Sequence, residues 1–142
     1  MDVVFDVNIL VSALITEGKP KKLWLKAVEG EFELVLSKGI VDDFVQVMGR
    51  SKFDRYVDES DMLDFVQALS AIAKFVRTKS RYRIVKEDPD DDVVLAAAYD
   101  GGADYVVSGD QHLLNMKEFK GIHIVTADKM IQILNIEKRH EC

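Results

Sequence analysis

Cysteine is almost absent from this 142-residue chain; the single one is Cys142. An internal disulfide is therefore impossible, and a zinc site built on several thiolates is excluded. With only 2 prolines and 8 glycines, the composition is not that of a collagen-like or low-complexity polymer. No apolar run approaches the ~20 residues that a membrane-spanning helix needs. The opening Met1-Asp2-Val3-Val4-Phe5-Asp6 lacks the basic stretch before an apolar segment that marks a secretory signal. An excess of positive charge is missing too: 19 Lys and Arg stand against 25 Asp and Glu, a formal net charge of -6. Proteins that hold nucleic acid through overall charge are usually basic, which disfavours a passive coat protein. An enzyme whose carboxylates hold cations is not disfavoured, because a bound metal reverses the local sign. These absences predict a cytoplasmic protein with no membrane contact.

What is present suits one globular core: 48% of residues are hydrophobic and 31% charged. Short β-branched or aromatic runs at Val3–Phe5, Leu34–Leu36, Tyr82–Val85, Tyr105–Val107 and Ile122–Val125 read as five buried strands. Helical spacing lies between them. Ile40, Val41, Phe44, Val45 and Met48 recur every three to four residues behind Ser37, a good N-cap. Met62, Phe65, Val66, Leu69, Ile72 and Val76 do the same after Ser60 and predict the longest helix. Leu23, Trp24, Ala27 and Val28 follow Pro20 as a shorter amphipathic piece. Asp88-Pro89 has the grammar of a helix start, and Val93–Tyr99 behind it is apolar all round. Thr126 caps a last helix through Met130, Ile131 and Leu134. Strands alternating with helices predict a single α/β domain over residues 1–135, a mainly parallel five-stranded sheet flanked by helices, with a polar tail at 136–142.

In a parallel sheet, ligands bind beyond the carboxyl ends of the strands, so the polar residues at those ends matter most. Asp6 and Asn8 follow the first strand. Ser108, Gly109 and Asp110 follow the fourth. The segment Lys86-Glu87-Asp88-Pro89-Asp90-Asp91-Asp92 carries 5 acids in 7 residues and opens the apolar helix. Asp42 and Asp43 fall inside the third helix. A single Asp near a helix start is ordinarily a cap; the repetition of strand, acid and helix is what carries information. Several carboxylates sharing one crevice repel each other, and a hard divalent cation relieves the repulsion. Oxygen ligands without cysteine or clustered histidine select Mg2+ or Mn2+ over zinc. Before the acidic loop, Lys74, Arg77, Lys79, Arg81, Arg83 and Lys86 crowd together, a candidate track for a phosphate chain, with Arg77, Lys79, Arg81 and Arg83 as its RNA contacts.

At this point the residues resemble a known family. Val4-Phe5-Asp6-Val7-Asn8-Ile9-Leu10-Val11-Ser12-Ala13 resembles the opening motif of PIN-domain nucleases. Asp88-Pro89-Asp90-Asp91-Asp92 with Leu95-Ala96-Ala97-Ala98 resembles the third acidic motif of that family, and Gly102 to Asp110 the fourth. Ile40-Val41-Asp42-Asp43-Phe44 stands where the family has an acid inside a helix. The resemblance runs from about residue 2 to 135 and is strongest to VapC-like toxins of toxin–antitoxin pairs. It implies an α/β/α fold and a metal-dependent endoribonuclease that cleaves single-stranded RNA with Mg2+ or Mn2+. Carried over, Asp6, Asp43, Asp92 and Asp110 are the catalytic acids, and Asp6, Asp92 and Asp110 the metal ligands. Asn8, Ser12, Ser108 and Asp91 position them. Asp90, Asp91 and Asp92 compete for the third place; Asp92 puts Leu95-Ala96 at the family's spacing. Two positions depart from the pattern: Asp43 stands where Glu is usual, and His112 where many relatives carry another Asp. The implied partners are RNA, a cognate antitoxin and a second copy of the chain, joined through the helices that carry Leu10, Leu14, Leu23 and Trp24, although core packing suits Leu23 and Trp24 better than a partner interface. The competing function is a PIN fold with weakened metal binding that serves as an RNA-binding or protein-binding module. A dehalogenase-type phosphatase is disfavoured, because its second acid is replaced here by Asn8.

Overall fold

β1 (Asp2–Phe5) is the pivot of the sheet. Its Val3, Val4 and Phe5 are fully buried, as suits a β-branched and aromatic run with a parallel neighbour on each side. β2 (Glu33–Ser37) lies on one flank and β4 (Tyr105–Val107) on the other. Outside them come β3 (Lys74–Val76), β6 (Ile122–Val125) and β5 (Glu118–Phe119), in the order β3-β2-β1-β4-β6-β5. Among the described residues only the β5–β6 pair is antiparallel. This computed structural model describes residues 1–50, 57–78 and 89–140, without the side chains at 89–91, 139 and 140.

Seven helices complete the described chain: α1 (Val7–Ile15), α2 (Lys19–Val28), α3 (Lys38–Met48), α4 (Glu59–Ile72), α5 (Pro89–Asp100), α6 (Gln111–Met116) and α7 (Ala127–His140). The chain steps outward from β1 to β3, then returns across the sheet to β4. Right-handed crossovers therefore place the helices joining β1 to β3 and α5 on opposite faces. On one face Trp24, Phe65 and Phe44 tie α2, α4 and α3 together, with ring centroids 5.2 and 5.7 Å apart. On the other, Val94 to Ala98 of α5 are buried, which is why that segment shows no amphipathic stripe. Gly101 ends this helix where a Cβ would stand 2.8 Å from the Ala97 carbonyl oxygen and 2.9 Å from Val35 and Val76. Only glycine lets the chain turn that close to the sheet. Over the strand ends, Gly39 of α3 does the same for Val93 of α5, whose Cγ1 lies 2.9 Å from the position of a Cβ.

The expected α/β architecture with a mainly parallel sheet is what the chain adopts, with corrections of detail. Among the described residues the sheet has six strands rather than five. The helix predicted through Val76 stops at Ile72, because Ala73 turns extended (φ -76°, ψ 149°) and frees Lys74–Val76 to pair with β2. Val76 lies four residues after Ile72, so its helical spacing is a coincidence that a three-residue strand is too short to betray. β5 is shorter still, at 2 residues, and returns through Lys120 and Gly121, both at positive φ, the conformation of a tight two-residue hairpin. Asp58, not Ser60, caps α4, accepting from the Asp61 amide at 2.8 Å. Ser37 and Thr126 cap α3 and α7 as expected, accepting from Ile40 and Lys129. α7 runs on to His140, past the point where a tail was expected. Leu23 and Trp24 are core residues, the better of their two expected roles; Leu10, offered for a subunit interface, is buried in the same core, and Leu14 packs partly buried against it. The strand expected at Tyr82–Val85 lies outside the described residues.

Candidate functional site

Strand register decides what meets at the carboxyl edge of the sheet. Phe5 pairs with Val107 and Val4 with Val35, so Asp6 emerges level with Ser108 on one side and Ser37 on the other. The strand order reverses between β1 and β4, the place where open parallel sheets bind ligands. Asp6 is the N-cap of α1 as well as the end of β1. One carboxylate oxygen accepts from the Ile9 amide at 2.9 Å, and the other from the Ser108 hydroxyl. The Ser108 oxygen in turn accepts from the Asp110 amide at 2.9 Å, and Asp110 caps α6 by accepting from the His112 amide at 2.8 Å. Two adjacent strand ends, each followed by a helix, are thus laced together by one carboxylate and one hydroxyl.

This carboxylate is only 3% exposed, and Ser108 is fully buried. Burial pushes the Asp6 pKa up to about 6, and the neighbouring Asp110 charge adds to the rise. The Ser108 hydroxyl and the Ile9 and Asn8 amides oppose it without cancelling it. A rise from 3.8 to about 6 corresponds to roughly 3 kcal/mol against the ionised form. A buried carboxylate held at such a cost, with a second carboxylate beside it, is an arrangement that nearby positive charge would stabilise.

The other expected residues fall as follows. Asn8 is exposed on the first turn of α1, and Ser12 is half-buried one turn later. Asp43 is half-buried on α3, with its Oδ2 shut off from solvent. It lies one turn beyond Gly39, which approaches Val93, the residue after Asp92 at the start of α5. Asp92 is half-buried in the first turn of α5. Arg77 is exposed just past β3. The side chain of Asp91, and Lys79, Arg81 and Arg83, lie outside the described residues. His112 is exposed and contributes its backbone amide to the Asp110 cap. Nothing in the sequence pattern singles out Lys38, yet it stands directly past β2 on the same edge, paired with Asp42 at 2.9 Å. The signal that finds it is its place after a strand, not a motif.

Among the described residues no three acidic, histidine or cysteine side chains gather closely enough to cage a metal. Mg2+ does not require such a cage; it keeps several waters and takes one or two protein carboxylates. Asp6 and Asp110, two hard oxygen donors on adjacent strand ends, fit that mode of binding.

Known proteins agree with this geometry. The family model for the PIN domain matches residues 2–112. Among solved structures, a chain from the crystal structure of VapBC2 from Rickettsia felis bound to a DNA fragment from their promoter matches with a TM-score of 0.61. That likeness covers 87% of this chain and 97% of that one at 12% identity, so it concerns the fold. No curated protein matches the sequence. The matched span opens on β1 and closes on α6, enclosing Asp6, Asp43, Asp92 and Asp110: the chain belongs to the PIN-domain family of nucleases.

Proposed function

We propose that this protein is a Mg2+- or Mn2+-dependent endoribonuclease that cleaves single-stranded RNA in the cytoplasm as the toxin of a toxin–antitoxin pair. The observation that carries the reading is the buried Asp6 carboxylate, raised to about 6 beside Asp110 at the β1–β4 switch. Asp6, Asp92 and Asp110 hold the cation. When bound, the divalent ion supplies a water of lowered pKa and neutralises charge on the scissile phosphate. Ser108 keeps Asp6 aimed by donating to it, and its own orientation is set by the Asp110 amide. Asp43, shorter by a methylene than a glutamate, acts on the attacking water rather than on the ion, orienting it as a general base would. Asn8 and Ser12, one turn apart along α1, line the approach. Asp91 supports Asp92 from the neighbouring position.

The toxin assignment draws on the resemblance to VapC-like proteins and on the fold shared with a chain of the VapBC2 complex; the antitoxin is a protein partner of this chain. The homodimer uses the exposed Leu25, Val28 and Ile136 rather than the buried leucines. Light scattering at micromolar concentration is expected to give twice the 16.1 kDa chain mass; the monomer mass alone counts against the dimer.

Cleavage of one RNA by purified wild type and Asp6→Asn in Mn2+ tests the chemistry. The amide keeps the shape of the carboxylate but lacks its charge, so cleavage is expected to fall on the order of 10²–10⁴-fold. Asp92→Asn falls comparably, Asp91→Asn far less, and EDTA abolishes the wild-type reaction. Equal rates for wild type and Asp6→Asn would refute the mechanism and leave a binding module as the reading.

The same substitution makes a stability prediction in EDTA. The folded chain binds the Asp6 proton more tightly than the unfolded chain, so the wild type loses stability as pH rises from about 4 to about 6 and does not regain it above. Asp6→Asn carries no charge to bury. Its melting temperature is expected to exceed that of wild type at pH 8, with the difference vanishing near pH 4. Parallel melting curves for the two proteins across that range would contradict the raised pKa.

A further inference from the structure

The path of the RNA away from the carboxylates follows from strand register, and this inference rests on the ribonuclease reading. Ser37 pairs with Val76, so Lys38 and Arg77, the next residues of each segment, stand side by side just beyond the carboxyl edge. Asp6 follows β1 on the adjoining strand. With neighbouring strands about 4.8 Å apart, Lys38 is one strand spacing and Arg77 two spacings from Asp6, roughly 5 and 10 Å across the sheet. Both side chains are exposed, that of Lys38 by 90%. Among the described residues that directly follow a parallel strand, cations stand only after β2 and β3. On the opposite flank Thr126 follows β6, and the nearby Asp128 is ion-paired with Lys19. A net charge of -6 leaves few routes for a polyanion, and this edge is one that begins at the site itself.

Lys38 is not idle in the free protein. Its ammonium bonds Asp42 at 2.9 Å, one turn along α3, and Asp42 is itself 59% exposed. An exposed pair of this kind adds little stability, but it occupies the cation that a phosphate would need. We propose that Lys38 and Arg77 hold phosphates of the single-stranded RNA as it leaves the carboxylate site over β2 and β3, and that Asp42 competes with the RNA for Lys38.

Competition makes a prediction that a merely structural helix pair does not: removing an ion-pair partner tightens binding. Anisotropy of a short fluorescein-labelled single-stranded RNA, titrated with full-length protein in EDTA across a salt series, reads it directly. Asp42→Asn is expected to tighten binding about twofold, the strength of an exposed i,i+4 pair. Lys38→Ala and Arg77→Ala are each expected to weaken it and to lower the slope of log K against log salt by about 0.7, one phosphate contact on a single strand. The Lys38→Ala/Asp42→Asn double variant behaves like Lys38→Ala alone. Lys129→Ala, on the β6 flank, leaves the slope unchanged. The proposal is overturned if Asp42→Asn does not tighten binding, if the double variant gains as much as Asp42→Asn does, or if Lys129→Ala lowers the slope as Lys38→Ala does. Wild-type cleavage of the same RNA in Mn2+ separates the two levels. Loss of both binding and cleavage in wild type removes the ribonuclease reading and this path with it; cleavage with unresponsive variants removes the path alone.

Discussion

Everything at the functional edge depends on one buried carboxylate. Asp6 closes β1, caps α1 and accepts the Ser108 hydroxyl of the neighbouring strand end. A neutral hydrogen-bonding residue could do all three without a desolvation cost. The chain instead keeps an ionisable group at 3% exposure beside Asp110, with its pKa raised to about 6. Folding by itself gains nothing from that choice, because the charge is the costly part. A divalent cation turns the same charge into binding energy, and the arrangement then reads as preorganised electrostatics: fixed oxygens that need not reorganise when positive charge arrives.

The packing around this point depends on two close approaches of the backbone. Gly39 lets α3 approach α5 at the Val93 methyl, and Gly101 lets the far end of α5 turn back tightly into the sheet. Charge is distributed unevenly along the same edge: carboxylates at β1 and β4, cations after β2 and β3. On the proposed reading, a polyanion would approach from the cationic flank toward the acids, in a protein whose overall charge is negative.

Much of this was legible in the sequence. Val3–Phe5, Leu34–Leu36, Tyr105–Val107 and Ile122–Val125 are strands, the last with His123 exposed, because β-branched and aromatic runs bounded by polar residues have few other uses. Asp6 stood out because an acid directly after such a run, itself followed by another apolar stretch, has no easy solvated position. What escaped were elements too short to show a period. β3 merged into the helical spacing of α4, and β5 is two residues long. Burial of Leu10 was hidden as well, since apolar helix residues look the same whether they face the core or a partner. The hydroxyl link from Ser108 to Asp6 spans 102 positions and depends on register, which composition and periodicity do not carry. Lys38 was missed for the same reason.

The most direct measurement is the Asp6 carboxyl titration itself, followed by carbon-detected NMR in EDTA and again with saturating Mg2+. The account predicts a midpoint near pH 6 without metal and a marked fall with Mg2+, as the cation favours the ionised form. An ordinary carboxylate midpoint near 3.8 in EDTA, or a raised one that Mg2+ leaves unmoved, would contradict it.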